Sequence, residues 1–441
     1  KIYYNYLIMV FIATTLQCMA KSEKLNSVLL GNPNMNFFKV VYRRGTNFAI
    51  EHIENTKINE FHADTTESTI KIDRNGDLIS KMWLDVYFNP VTSTNEPKFL
   101  NWCNNTGHAY LKSCELIIGG KIDKHDSIFL DVYNELTDTH NKQHMGLNKH
   151  TNDLYMTSGT SNIAPQLQLY IPLQFYFNRN YGMSLPLCAL SQHDVQLKFE
   201  FRKISELLVS DKKLNDSDII ADPEVKLWVE CIHLDQDEQR RFTSNTLEYL
   251  IEQVQSDQHT TTSNIYDMNF TNQVKQIIWV FSYNNRTTPI NIKEFPADPT
   301  IFKPKTIDES DNIITGTETL NGNDYFNYQV GAIGDHKILP KNSGSCIYLN
   351  NTIEHFDKCN IKFQSDDRFK SQKAVFFRYL QPSYYCNNIP KKSIYTYSFA
   401  LNANEYGPSG SCNFSNISDI RLSFNDLGPV DDNRTLYIYA I

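Results

Sequence analysis

The chain of 441 residues is poor in the signals that announce an enzyme. It has no G-x-x-x-x-G-K-[ST] phosphate loop, no G-x-S-x-G elbow and no H-E-x-x-H pair. P-loop nucleotide hydrolysis, α/β-hydrolase chemistry and zinc proteolysis therefore have no motif behind them. Gly407-Pro408-Ser409-Gly410 has the wrong spacing for an elbow. With 17 Gly and 16 Pro, collagen-like and low-complexity readings are excluded. The nine Cys are scattered from Cys18 to Cys412 without a C-x-x-C pair. An odd, dispersed set argues against a zinc ribbon or a disulfide framework, so the thiols are read as reduced, small apolar residues. Basic residues are also in deficit, 42 Lys and Arg against 50 Asp and Glu, for a formal charge of −8. That balance excludes coating nucleic acid by charge alone.

Long apolar runs are missing too. Only residues 6–20 (YLIMVFIATTLQCMA) approach one, and a span needs about 20 apolar residues. No basic stretch lies between Met9 and the run, so a short amphipathic or buried N-terminal helix is preferred to a signal peptide. The start at Lys1, without an initiator Met, is read as a fragment or an upstream read-through, with Met9 or Met19 as the start.

What the chain has is aromatic residues, 26 Phe and 25 Tyr among them, and these favour strands. Met82, Leu84, Val86 and Phe88 alternate with Trp83, Asp85 and Tyr87, the period of a half-buried strand. Asn75-Gly76 before them predicts a tight turn, with 66–72 and 78–88 as a hairpin. Val195, Leu197, Phe199 and Phe201 alternate with polar residues in the same way. Further strands are expected at 225–232, 274–283, 374–380, 394–401 and 435–441. Helical signals are few. Residues 126–136 predict a short helix, and 235–255 a longer one, with Leu247, Leu250, Ile251 and Val254 at i, i+3, i+4, i+7. The polar stretch 203–224 reads as a linker and 304–345 as a long exposed loop. Strands on both sides of a linker imply two all-β domains in tandem.

Candidate chemistry is thin. Asp123-Lys124-His125-Asp126, with Asp131 after it, sets carboxylates beside a histidine. A metal site needs three or four converging ligands, so a solvated turn after Gly119-Gly120 is the preferred reading. His140, His144 and His150 read as a polar loop, and Arg43-Arg44 and Arg240-Arg241 as salt-bridge partners. Asp73-Arg74-Asn75-Gly76-Asp77 lacks the order of a calcium loop. No catalytic, cofactor or metal residue is assigned. Sequons occur at Asn104, Asn215, Asn269, Asn285, Asn350, Asn413, Asn416 and Asn433, without a secretory conclusion.

Six segments in order carry a resemblance. They are GNPNMNFFKVVYRRGTNFAIEHI (31–53), DRNGDLISKMWLDVY (73–87), ELIIGGKIDKHDSIFLDVYNELT (115–137), IPLQFYFNRNYGMSLPLCALSQHDVQLKFEF (171–201), LWVECIHLDQDEQRRFTSNTLEYLIEQVQ (227–255) and SFALNANEYGPSGSCNFSNI (398–417). Together they resemble the major capsid protein of the nucleocytoplasmic large DNA viruses. Gly45 and Gly407 depart from that family's usual His and Gln, and neither breaks the fold pattern. The resemblance implies an all-β double jelly roll: two tandem eight-stranded antiparallel sandwiches with long loops and a few short helices. The resemblance implies a division into an N-terminal segment 1–28, a first jelly roll 29–208, a linker 209–224 and a second jelly roll 225–441 whose C-terminal tail is truncated at Ile441, where the family usually continues. The resemblance further implies a homotrimer, a pseudo-hexagonal capsomer tiling an icosahedral virion shell. Minor capsid and penton proteins would be partners, with an internal membrane beneath the shell. Nucleic acid would not be contacted, and assembly would take place in the host cytoplasm. Asp123, His125 and Asp126 would then serve the turn or a subunit contact. Two other readings stand beside it: a secreted lectin-like sandwich if 1–20 is a signal sequence, and a hydrolase using His125 and the 123–131 carboxylates.

Overall fold

A computed structural model of the protein describes residues 46–55, 67–97, 100–103, 105–137, 163–210, 214–220, 223–283, 289–291, 319–321, 323, 325–326, 328, 354–364, 366–390, 392–427 and 434–441. The expectations for 1–28 (with 6–20), for Arg43-Arg44 and for His140, His144 and His150 lie outside these residues, as does most of 304–345.

Alternation of apolar and polar residues builds most of the long strands. The first set is β1 (Phe48–Asn55), β2 (Glu67–Lys71), β3 (Leu78–Phe88), β4 (Leu111–Ile118) and β5 (Lys121–Asp126), then helix α1 (Ser127–Thr137), β6 (Leu167–Pro172), β7 (Val195–Phe201) and β8 (Glu224–Leu234). Helix α2 (Gln236–Ser244) leads into the second set, β9 (Gln255–Thr260), β10 (Ile265–Asp267), β11 (Gln276–Tyr283), β12 (Phe356–Phe363) and β13 (Asp366–Asp367). Helix α3 (Gln381–Tyr385), β14 (Ile394–Ser398), β15 (Ile420–Leu427) and β16 (Arg434–Ala440) complete it.

Each set pairs in the same order. Sheets β1-β8-β3-β6 and β2-β7-β4-β5 make the first sandwich. Sheets β9-β16-β11-β14 and β10-β15-β12-β13 make the second, every number raised by eight. All these pairings are antiparallel, and strands adjacent in sequence mostly fall in opposite sheets. That is the jelly-roll winding, twice. Ile70, Leu84, Val86, Leu197 and Phe199 fill the first interior, and Trp279, Phe281, Phe356, Tyr395 and Phe424 the second. Phe356 lies 4.8 Å from Tyr395 and 4.9 Å from Phe424, centroid to centroid. Among the described residues no helix is long and apolar enough to cross a membrane.

Several local expectations change. The 66–72/78–88 hairpin does not form, because β2 pairs with β7 and β3 with β8 and β6. The connection crosses between the two sheets, and a tight hairpin would have put both strands in one. Gly76 keeps an ordinary φ. Its role is close packing, since an added Cβ would lie 2.7 Å from the Cβ of Cys231. The turn that does need left-handed backbone is Gly119-Gly120, at φ 57° and 81°, joining β4 to β5 as a two-residue hairpin.

The expected linker is largely built into the first sandwich. Ile204, Leu207, Leu208 and Leu214 are buried, Leu208–Ser210 pairs with Leu100–Trp102, and Ile219–Ile220 pairs with Thr92–Ser93. Strand 225–232, placed in the second half by its position in the sequence, is part of β8 between β1 and β3. The helix over 235–255 ends at Ser244, where the backbone N–H of Asn245 bonds Arg241 O. Residues 245–254 run without regular structure, and Leu250 and Ile251 are exposed. Of the helically spaced residues Val254 packs on the first core while Leu250 and Ile251 do not, so no common apolar face holds a helix there and propensity alone did not suffice. Residues 374–380 are not a strand: Phe376–Leu380 is wound as a π-helix, with Phe377 and Arg378 buried and Arg378 bonded to Glu354 at 3.0 Å. Tertiary burial there overrides aromatic β-propensity.

Candidate functional site: the seam between the sandwiches

In β11 the odd and even residues are both buried, for different reasons. Ile277, Trp279 and Phe281 enter the second interior, whereas Ile278 and Val280 join the apolar cluster of the first sandwich. In β16, Leu436 and Ile438 point into the second interior and Tyr439 joins the first cluster. The two sandwiches thus share a continuous apolar seam, and polar groups fix its register.

Helix α1 is the hub of those groups. Asp126 accepts the Phe129 amide at 2.8 Å, the geometry of an N-cap. The hydroxyl of Tyr439, from the second sandwich, donates to both oxygens of the same carboxylate at 2.8 and 3.0 Å. Burial pushes the Asp126 pKa up, and the Phe129 and Tyr439 bonds partly offset this. Asp131, fully buried, accepts from Asn105 at 2.6 Å, from Tyr328 at 2.9 Å and from Lys392 at 2.6 and 2.8 Å. Lys392 lies 3.5 Å from Glu135 as well. The C-terminal carbonyls of α1, which have no partner inside a helix, are capped from the second sandwich. Asn388 donates its N–H to Leu136 O at 3.1 Å and its amide to Glu135 O at 2.9 Å, and Asn404 donates to Leu136 O at 3.0 Å.

Two further links flank the hub. Glu252 bridges Arg179 at 3.1 Å and Lys275 at 2.5 Å, and Arg179 lies over the Tyr133 ring at 4.4 Å. Burial lowers the Lys275 pKa, and the Glu252 charge works against that. Arg202 covers Tyr325 at 4.3 Å. Near Asp131, burial drives His108 down to about 4; Asp131 opposes this and Lys392 adds to it.

The sequence had grouped Asp123, His125, Asp126 and Asp131 as a candidate constellation, and the structure gives them separate tasks. Asp126 and Asp131 serve the seam inside one chain. Asp123 and His125 project from alternate positions of β5 into the first sandwich, 3.7 Å apart, and His125 stacks on Phe175 at 4.7 Å. They are neither a solvated turn nor an exposed subunit contact. Burial raises Asp123 to about 6, with the Val254 backbone and Arg179 working against it, and burial holds His125 well below its usual value. Among the described residues no three His, Cys, Asp or Glu side chains converge as metal ligands. Arg240 and Arg241 pair with Asp237 and Glu238 one turn back on α2, exposed pairs worth at most about 1 kcal/mol. The seven described cysteines are free thiols, with Cys103, Cys114, Cys231 and Cys359 buried. Asn215, Asn269, Asn413 and Asn416 are exposed; the other sequons lie outside the described residues.

Sequence reasoning missed Lys392, Tyr328, Asn388 and Asn404, which sit in polar stretches with no periodic signal. Tyr439 was legible in part, since LYIYA is apolar on both faces of its strand.

The chain was compared with known proteins. Residues 36–235 match the family described as "Major capsid protein N-terminus", and 238–429 match "Large eukaryotic DNA virus major capsid protein". The chain is 29% identical over 440 residues to the major capsid protein of Pyramimonas orientalis virus, covering 94% of this chain and 91% of that one. It is 32% identical over 419 residues to the major capsid protein of Paramecium bursaria Chlorella virus 1, covering 90% and 83%. Its structure superposes on a quasi-atomic model of the PBCV-1 virus capsid with a TM-score of 0.65 at 26% identity, over 92% and 95% of the two chains.

Proposed function

Because the chain belongs to the major capsid protein family of the large eukaryotic DNA viruses and is a structural capsid subunit, we propose that three copies associate into one pseudo-hexagonal capsomer. The observation that carries this is the duplicated winding. Two sandwiches of identical strand order, locked by a buried seam, make one chain present two similar lobes. Three such chains supply six lobes around an axis, and hexagonal tiling of a shell needs that number. Assembly asks only for repeated surface contacts, not for bond chemistry. On this reading the chain has no catalytic centre, and its partners are copies of itself, minor capsid and penton proteins, and the internal virion membrane. It is a virion component assembled in the host cytoplasm. We also divide the chain at the surface helix α2, with the first roll ending at Leu234 and the second beginning at Gln255.

The test is the solution mass of the full chain by light scattering after gel filtration, followed by electron microscopy. The expected species has three times the 51.1 kDa chain mass and a hexagonal outline. A folded monomer at all concentrations would overturn the reading.

A further inference from the structure

The hub of the seam sets an amine between two carboxylates. Asp131 and Glu135 stand four residues apart on α1, so both lie on one face of the helix. That face is met by Lys392, two residues ahead of β14. Its ammonium group bonds both oxygens of Asp131, at 2.6 and 2.8 Å, and lies 3.5 Å from Glu135. All three side chains are shut away from water: 5% of Lys392, 1% of Asp131 and 15% of Glu135 is exposed. The ring centres of Phe326 and Tyr328 lie 5.5 and 5.7 Å from the Lys392 nitrogen. A nucleophile, a carboxyl carbon and a second carboxylate thus meet beside aromatic rings. Asn105 and Tyr328 each donate to one oxygen of Asp131, at 2.6 and 2.9 Å, which draws electrons away from its carbon.

We propose that this is a bond-forming site, at which the Lys392 amine condenses with the Asp131 carboxyl group into an amide that ties the first roll to the second within one chain. The ion pair in the structure is the reactant, and the amide forms from it as the folded chain stands. The ammonium group first gives one proton to Asp131, leaving a neutral amine and a neutral carboxylic acid. The nitrogen lone pair then attacks Asp131 Cγ, and Glu135 takes a second proton from the nitrogen as the C–N bond forms. The N–H of Asn105 and the O–H of Tyr328 stabilise the negative charge that develops on oxygen. Glu135 passes its proton to the departing hydroxyl, the C–O bond breaks and water leaves. Nothing is oxidised or reduced, Glu135 is restored, and an ammonium and a carboxylate have become one amide and one water. Burial favours this outcome, because the neutral amide replaces two charges held out of water. Fixed contact favours it as well, being equivalent to about 10⁵ M or more of one reactant. The tie joins residues 261 apart. It acts inside the chain and does not depend on assembly.

Mass spectrometry of the full chain tests this. After the folded protein is held at pH 7.5 and then denatured, its mass is expected to fall short of the sequence mass by one water. Digestion should yield a branched peptide joining Lys392 to Asp131. Lys392→Met should keep its full sequence mass. Glu135→Gln keeps the size of the side chain and removes the proton acceptor. It should fold, by near-ultraviolet circular dichroism, and close the bond about 100-fold more slowly. A folded wild type that retains its full mass overturns the proposal, as does water lost from any other pair of residues. Loss of ammonia with Lys392 joined to Asn105 would overturn Asp131 as the acceptor. A folded Glu135→Gln that closes at the wild-type rate would overturn the role of Glu135.

Discussion

Replacing Lys392 with Met removes the cation from the hub of the seam while keeping most of the side-chain volume. Asp131 would stay buried, holding the bonds from Asn105 and Tyr328 but losing two from the ammonium group. Removing one member of a buried pair costs about 3–5 kcal/mol, because the other charge is left uncompensated. Two surviving donors place Lys392→Met near the lower end, about 3 kcal/mol. Unfolding entropy of about 2.1 cal/mol/K per residue then sets the thermal shift. A drop of roughly 4 °C is expected if both rolls melt together, and roughly 7 °C if one roll melts alone. Calorimetry at fixed protein concentration reads this, and the size of the drop also reports whether the seam couples the rolls. Asp131→Asn in the Lys392→Met background should recover much of the drop. An unchanged melting temperature, or no recovery on adding Asp131→Asn, would refute the assignment of a buried ion pair to this seam.

Asn388→Ala and Asn404→Ala each remove one side-chain bond to the C-terminal carbonyls of α1, and each should cost about 1 kcal/mol in urea denaturation; a double variant no worse than either single one would contradict independent caps. Gly76→Ala pushes a methyl group against Cys231 and should cost about 1–3 kcal/mol, and a neutral result would show that β8 yields easily there. Asp123 has a folded pKa raised to about 6 by burial, so its contribution is favourable below the ordinary carboxylate value and is lost as pH rises through 6. Asp123→Asn should therefore stabilise the protein at pH 7.5 by about 1–3 kcal/mol and change little at pH 4; equal effects at both would sink the argument. His125, held well below its usual value by burial, acts in the opposite direction. The unfolded chain takes up its proton as pH falls below about 6.5, so stability should fall there. His125→Phe, which keeps the stack on Phe175, should flatten that acid limb in a pH series of melting temperatures.

Period-two alternation is local, and wherever a strand has one wet face it was readable: 78–88 and 195–201 are strands with the expected faces inward. The helix at 127–137 was readable too, and the six ordered motifs marked the family before any contact was known. Partners were not readable. Asn75-Gly76 predicts a turn on its own, but whether the next strand folds back or crosses to the other sheet depends on what β7 and β8 offer, more than 100 residues on. The same holds for 225–232, whose position in the chain suggested the second half and whose pairing lies in the first. At 245–254 only Val254 of the segment's end packs on the core and Leu250 and Ile251 stay exposed, and at 374–380 residues that favour strands were drawn into a helical turn around Arg378 and Glu354. The seam lay furthest from the sequence. Asp131 and Lys392 are 261 residues apart, and nothing near either one announces the other. The sequence by itself determined that two all-β halves would form and marked the strands with clear alternation, such as 78–88, 195–201 and 435–441, because those follow from neighbours one and two residues away. Only the tertiary structure decided which strands pair and which charges lock the halves together. Each of these is set by surfaces that meet only when the chain is folded.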